Sequence, residues 1–175
     1  MTEAGFPLPN CYEAGDIHRA ATMTDISISP EDPATPDVLA LLHDGETYGA
    51  ALYPAESNHY LPLDALQASE VLFLVARDAQ GTAIGTGAIV ANAGWAEIKR
   101  MWVDPSMRGK GLSKRLLNLL EAHVEAQGIH IIRLETGIHN TEALGLYARM
   151  GYAVRDAFAP YAPDPLSVFM EKQLA

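Results

Sequence analysis

Seven residues, Arg108-Gly109-Lys110-Gly111-Leu112-Ser113-Lys114, separate a strand-like run from Glu97 to Val103 from the start of an amphipathic helix. Few folds accommodate such a junction: glycines turn the chain, and the first backbone N–H groups of the helix are left without carbonyl partners. Free amides at a helix start suit a phosphate, so the junction predicts a diphosphate-bearing ligand. Two familiar glycine loops do not match the letters. A P-loop needs four residues between its glycines, whereas only Lys110 separates Gly109 from Gly111; a dinucleotide loop needs a third glycine where Lys114 stands. What remains is R-x-x-G-x-small, with Arg108, Gly111 and Ser113 at the fixed places.

Around this junction the pattern is that of a mixed α/β sheet with helices on its faces. Asp25 to Ser29 alternates as a short strand, and Pro36 after Thr35 opens a helix of about two turns. The segment from Tyr48 to Leu66 is polar and aromatic together and reads as a loop, either a cap on the core or a substrate lid. Val71 to Arg77 and Thr82 to Val90 flank the turn Asp78-Ala-Gln-Gly81, a hairpin signal. The helix after Gly109 places Leu112, Leu116, Leu119, Leu120 and Val124 on one face and stops at Gly128. Ile129 to Thr136 reads as a buried strand, Asn140 to Met150 as a helix closed by Gly151, and Leu166 to Glu171 as a last strand. Residues 1–22 hold no sustained period and read as an extension before a single domain at 23–175, with Met23 a second candidate start.

Charge and cysteine content narrow the function. A formal net charge of -10 argues against general nucleic-acid binding, which draws its affinity from many lysine and arginine contacts. Of the twelve basic residues, six (Lys99, Arg100, Arg108, Lys110, Lys114, Arg115) fall within seventeen positions, so one end of a site is built for an anion. No apolar run is long enough to cross a bilayer, which predicts no membrane partner. The lone Cys11 cannot form an internal disulfide, and the N-terminus lacks a signal-peptide pattern, so a reducing cytoplasm is expected. The six histidines are scattered without ligand spacing, and no metal is expected.

Glu97-Ile-Lys-Arg-Met-Trp-Val-Asp-Pro-Ser-Met-Arg-Gly-Lys-Gly-Leu-Ser113, together with Asn140-Thr-Glu-Ala-Leu-Gly-Leu-Tyr-Ala-Arg-Met-Gly-Tyr152, resembles the GCN5-related N-acetyltransferase (GNAT) family over residues 25 to 173. The first run is similar to the family's loop Q/R-x-x-G-x-G/A, with Ser113 in place of the final small residue. The second is similar to its helix N-x-x-A-x-x-L-Y-x-x-x-G-F/Y. The resemblance implies a GNAT fold, a mixed and mostly antiparallel central sheet of about six to seven strands with helices on both faces. It implies acetyl-CoA as co-substrate, held by Arg108, Gly109, Lys110, Gly111, Leu112, Ser113 and Lys114, with Lys110, Lys114 or Arg115 near the 3′-phosphate. Met101, Trp102 and Val103 inherit the strand edge that pairs with the pantetheine arm, and Asn140 a contact to that arm.

For the chemistry, the resemblance places Tyr147 as general acid. Glu135 matches the base of one branch of the family and Glu97 that of others, and a water chain is the third alternative. Arg100, His59, Tyr60, Tyr161 and Asp164 are candidate acceptor-pocket residues, with Arg100 pairing a carboxylate. The stretch from Leu134 to Gly137 and the run from Tyr161 to Lys172 look like a bacterial branch mostly without a named substrate. The expected reaction is direct acetyl transfer to a primary amine of a small or amino-acid-like acceptor. A protein N-terminus or lysine is the alternative acceptor, and a non-catalytic acetyl-CoA sensor the alternative of another class. A homodimer, common in the family, is a possible assembly.

Overall fold

The computed structural model describes residues 25–175; Cys11, His18, Arg19 and the candidate start Met23 lie outside the described residues. Seven strands form one sheet: β1 Ser27–Pro30, β2 Val71–Arg77, β3 Ala83–Asn92, β4 Trp95–Val103, β5 Ile131–Gly137, β6 Ala153–Arg155 and β7 Ser167–Gln173. Their spatial order is β1-β2-β3-β4-β5-β7-β6. Every neighbouring pair is antiparallel except β4 with β5. Helix α3, Leu112–Glu125, crosses over between those two parallel strands, as a parallel pair requires.

Alternation along the strands sends side chains to two cores. On β2, Leu74 and Ala76 join the cluster under α3, while Phe73 and Val75 join Val38, Leu41 and Leu42 of helix α1, Pro36–Leu52, with Leu66 of the single turn α2, Leu63–Leu66. Helices therefore cover both faces, and helix α4, Thr141–Arg149, adds Tyr147 to the α3 side.

Three expectations need correction. Helix α1 is 17 residues long, not about two turns, and takes in Tyr48 and the glycines on either side of it. Gly45 and Gly49 look like breakers in sequence, yet they are where the Trp102 and Tyr60 side chains lie against the helix. On α3, Leu117 is fully buried and Leu119 is 45% exposed, because the buried stripe centres near Leu120 and leaves Leu119 on its rim. Strand β6 was not foreseen: it has three residues, two of them exposed, and carries no alternation to read.

Candidate active site

The parallel pair β4/β5 is joined only from Ala96, Glu97 and Ile98 to Ile132, Arg133 and Leu134. Beyond that point β4 continues to Val103 and β5 to Gly137 without pairing, so the sheet splits into a V. A cleft of about 860 Å³ opens from this split, lined by both strands and by the starts of α3 and α4. Lys99 to Val103 thus offer a strand edge with no β5 partner, and Met101, Trp102 and Val103 all line the cleft. Just before them the β3/β4 register slips between Thr86 and Ala88. Arg100 takes up the extra residue at φ 53, in the left-handed region that few non-glycine residues adopt.

At the second wall the turn Pro105–Met107 feeds Arg108 and the two glycines into α3. Gly111, at φ 81, is the N-cap and carries no side chain to close the helix end. The six backbone N–H groups from Gly109 to Lys114 meet no carbonyl among the described residues. Arg108 lies over the rings of Trp102 and Tyr48, 4.9 and 5.3 Å from their centroids, and 3.6 Å from Glu142 across the cleft mouth. Leu112 is buried and anchors the turn in the core, while Lys110 and Lys114 are exposed. Arg115 donates to the Ile26 carbonyl at 3.0 Å, which turns it toward β1.

The third wall is the β5–α4 junction. The Tyr53 hydroxyl accepts the His139 N–H at 2.8 Å and so fixes the turn that presents Asn140. Asn140 donates to the Thr136 hydroxyl at 3.4 Å, and its Oδ1 is buried with no donor. Trp102 Nε1 is likewise buried without an acceptor, so the cleft holds one orphaned acceptor and one orphaned donor. Tyr147 is 5% exposed, lines the cleft, and burial followed by the Glu135 charge pushes its phenol well above the ordinary value. Glu135 faces the same space. Burial raises its carboxyl, and the Ser167 hydroxyl, donating at 2.6 Å, offsets part of that rise.

Gly137 ends β5 against the Tyr53 ring, where an added Cβ would come within 2.2 Å of Tyr53 Cζ. Tyr53 is buried and cannot swing aside without releasing His139. The Gly137→Ala variant is therefore expected to lose roughly 1–3 kcal/mol, read as a lowered midpoint in urea unfolding.

At the far end, the segment 53–62 is stapled down by two consecutive β4 residues. Lys99 donates to the His59 carbonyl at 2.8 Å, and Arg100 to the Leu61 carbonyl at 2.9 and 2.5 Å. Arg100 is also paired with Glu46 at 2.6 Å and lies over the Tyr60 ring. Its guanidinium holds this strap while the residue lines the cleft, so Arg100 stands at the acceptor end with Glu46 as its carboxylate partner. Glu97 and Tyr161 do not reach the cleft wall: the Tyr161 hydroxyl donates to Glu97 at 2.5 Å and accepts from Lys99 at 2.6 Å. His59 lines the cleft with its ring edge-on to Tyr161, whereas Asp164 caps the turn before β7 through the Leu166 N–H. Lys99 and Tyr53 are cleft residues to which sequence reading gave no individual role, only a place in the basic cluster and in the candidate lid. Their signals were slight, a lysine next to Arg100 and a tyrosine inside an aromatic loop.

Residues 36–152 match the model of the acetyltransferase (GNAT) family. The chain belongs to the GNAT family. A curated relative, IAA acetyltransferase of Azospirillum brasilense, is 43% identical over 87% of this chain and all of its own length. A Klebsiella pneumoniae protein assigned as an acyl-CoA N-acyltransferase is 42% identical, with a TM-score of 0.73 over 86% of this chain and 98% of that one. The PaiA N-acetyltransferase of Thermoplasma acidophilum, solved with coenzyme A, shares the fold at 22% identity and a TM-score of 0.68, covering 85% of this chain and 98% of that one. Membership makes this GNAT chain an acetyl-CoA-dependent N-acetyltransferase. Both runs that resembled the family in sequence border the cleft, one at each lip of the split sheet. Among the described residues no helix is long and apolar enough to cross a membrane, and no cluster of metal-ligating side chains occurs.

Proposed function

We propose that this GNAT enzyme acetylates the primary amine of a small or amino-acid-like acceptor, which attacks directly in a ternary complex with acetyl-CoA. The observation that carries this reading is that a raised carboxyl, Glu135, and a protonated phenol, Tyr147, face one cleft beyond the point where β4 and β5 part. The cleft also fits the co-substrate. The free amides from Gly109 to Lys114 suit its diphosphate, the open edge of Met101, Trp102 and Val103 suits its amide arm, and the orphaned Asn140 Oδ1 awaits an N–H donor. Lys110 and Lys114, exposed beside the amides, are placed for the 3′-phosphate. When bound, acetyl-CoA supplies an acetyl group activated as a thioester.

The chain's own groups then account for two protons. An amine with a pKa of about 10.4 is neutral in only about one molecule per thousand at pH 7, so a base must take its proton. Glu135 takes it, because burial brings its affinity for a proton closer to neutral pH. Tyr147 gives a proton to the departing sulfur and is reprotonated by the one the acylated nitrogen sheds, and a β4 N–H polarises the carbonyl. Glu97 is bound to Tyr161 and Lys99 and takes the role of holding the acceptor end. A small acceptor is favoured by the stapled strap, which closes that end with Tyr60, His59 and the carbonyls that Lys99 and Arg100 hold.

A thiol-release assay tests this with free amino acids, simple amines, IAA (named for the Azospirillum relative) and peptides with free N-termini. Faster turnover of peptides than of every small amine overturns the small-acceptor reading. In the wild type, kcat/KM is expected to fall as pH drops through the Glu135 pKa, which stands above the ordinary carboxyl value. Glu135→Gln is expected to lose about 100-fold in kcat/KM and that acid limb with it. A limb that survives in the variant belongs to another group.

A further inference from the structure

One buried charged cluster has no part in this chemistry. Glu121 on α3 is 7% exposed, and its carboxylate accepts from the Tyr152 hydroxyl at 2.8 Å and from Lys172 of β7 at 2.6 Å. Tyr152, 4% exposed, stands just after α4, and its ring meets the Tyr147 ring edge to face with centroids 5.6 Å apart. Its N–H also donates to the Tyr147 carbonyl at 3.0 Å.

We propose that Tyr152, locked by Glu121 and Lys172, is a positioning residue for Tyr147. The inference rests on Tyr147 being the acid. The Tyr147 side chain packs in the α3-side core with its ring against Tyr152 and its hydroxyl end at the cleft, so the direction of that phenol is set by what touches its ring. A neighbouring ring fixes it only if that neighbour is itself fixed. Tyr152 is fixed because a buried phenol must find an acceptor, and Glu121 supplies one. Glu121 is held in turn by Lys172, since a buried carboxylate is costly without a partner. Phenylalanine and leucine would fill the same volume without burying charge, so the cluster's contribution is orientation rather than core packing. Because Glu121 lies on the helix whose first amides face the diphosphate site, the cluster ties the placement of the acid to the element that holds the co-substrate.

The test is a double-mutant cycle on the full-length enzyme, with thiol release read for the best amine of the panel and coenzyme A affinity read by calorimetry. Tyr152→Leu is expected to lower kcat about 10- to 30-fold, with the coenzyme A dissociation constant within about twofold of wild type. Tyr152→Phe keeps the ring and loses the anchor, and is expected to lower kcat about threefold to fivefold. In a Tyr147→Phe background, either change is expected to leave kcat where Tyr147→Phe alone puts it. Should Tyr152→Leu not fold, Tyr152→Phe carries the same cycle. A loss that persists in the Tyr147→Phe background, or coenzyme A affinity that weakens in step with kcat, overturns the positioning role and leaves the acid assignment standing. Wild-type turnover in Tyr147→Phe alone removes the acid, and with it this proposal.

Discussion

Tyr147→Phe is expected to lower kcat by about 100-fold, toward the lower end of what a positioned proton donor supplies. The size follows from the site. Burial and the Glu135 charge hold the phenol above its ordinary pKa, so it stays protonated throughout the working range but is a weaker acid than an ideal donor matched to neutral pH. The loss should be uniform with pH below about 10, because no titration of Tyr147 falls there to be removed. Affinity for coenzyme A should not change, since phenylalanine keeps the ring against Tyr152 and the chain gives the hydroxyl no partner to lose. Thermal stability should hold for the same reason: Tyr147 lines the cleft, and the variant breaks no hydrogen bond within the chain. Steady-state thiol release at several pH values checks the rate, and unchanged turnover defeats the acid assignment outright.

What the sequence made legible, and what it hid, divides along the range of the interactions involved. The α3 junction was readable because its signals are local: two glycines, a leucine stripe and a helix stop within about twenty residues, each with a backbone reason. The α4 helix with Tyr147 and Asn140 was readable by resemblance for the same reason, since its motif is continuous. Helix α1 was misjudged because the purpose of Gly45 and Gly49 lies elsewhere in the chain, in Trp102 and Tyr60 lying against them. Local propensity calls those glycines breakers, and tertiary packing overrides it. The strap contacts of Arg100 were hidden because its partners, Glu46 and the Leu61 carbonyl, are 54 and 39 positions away, and nothing in its neighbours reports a bulge at φ 53. Two base candidates stood side by side in sequence, Glu135 matching one branch of the family and Glu97 others. The structure separates their surroundings through Tyr161 and Lys99, which occupy Glu97 and leave Glu135 facing the cleft.

Gly111→Val should weaken coenzyme A binding by about 100-fold or more while costing the fold little. The position sits at φ 81, and an added Cβ would meet nothing within 4 Å, so there is no clash to relieve. The penalty is in the backbone, about 1–2 kcal/mol for holding a residue with a Cβ in the left-handed region. A β-branched residue sheds part of that strain by letting the N-cap relax, and the cap is where the chain carrying the free amides of Gly109 to Lys114 turns into α3. Several charge-assisted N–H contacts to a diphosphate are then lost together, which outweighs the strain itself. Gly94→Val is the matched control: it has the same sign of φ, at 83, and open space around its Cβ, but lies in the β3–β4 turn and does not line the cleft. Both variants should show a similar drop in unfolding midpoint, and only Gly111→Val should lose coenzyme A in calorimetry. Equal binding by the two would mean that the amides at the start of α3 do not hold the diphosphate, and the cleft's cofactor end would have to be sought along the β4 edge alone.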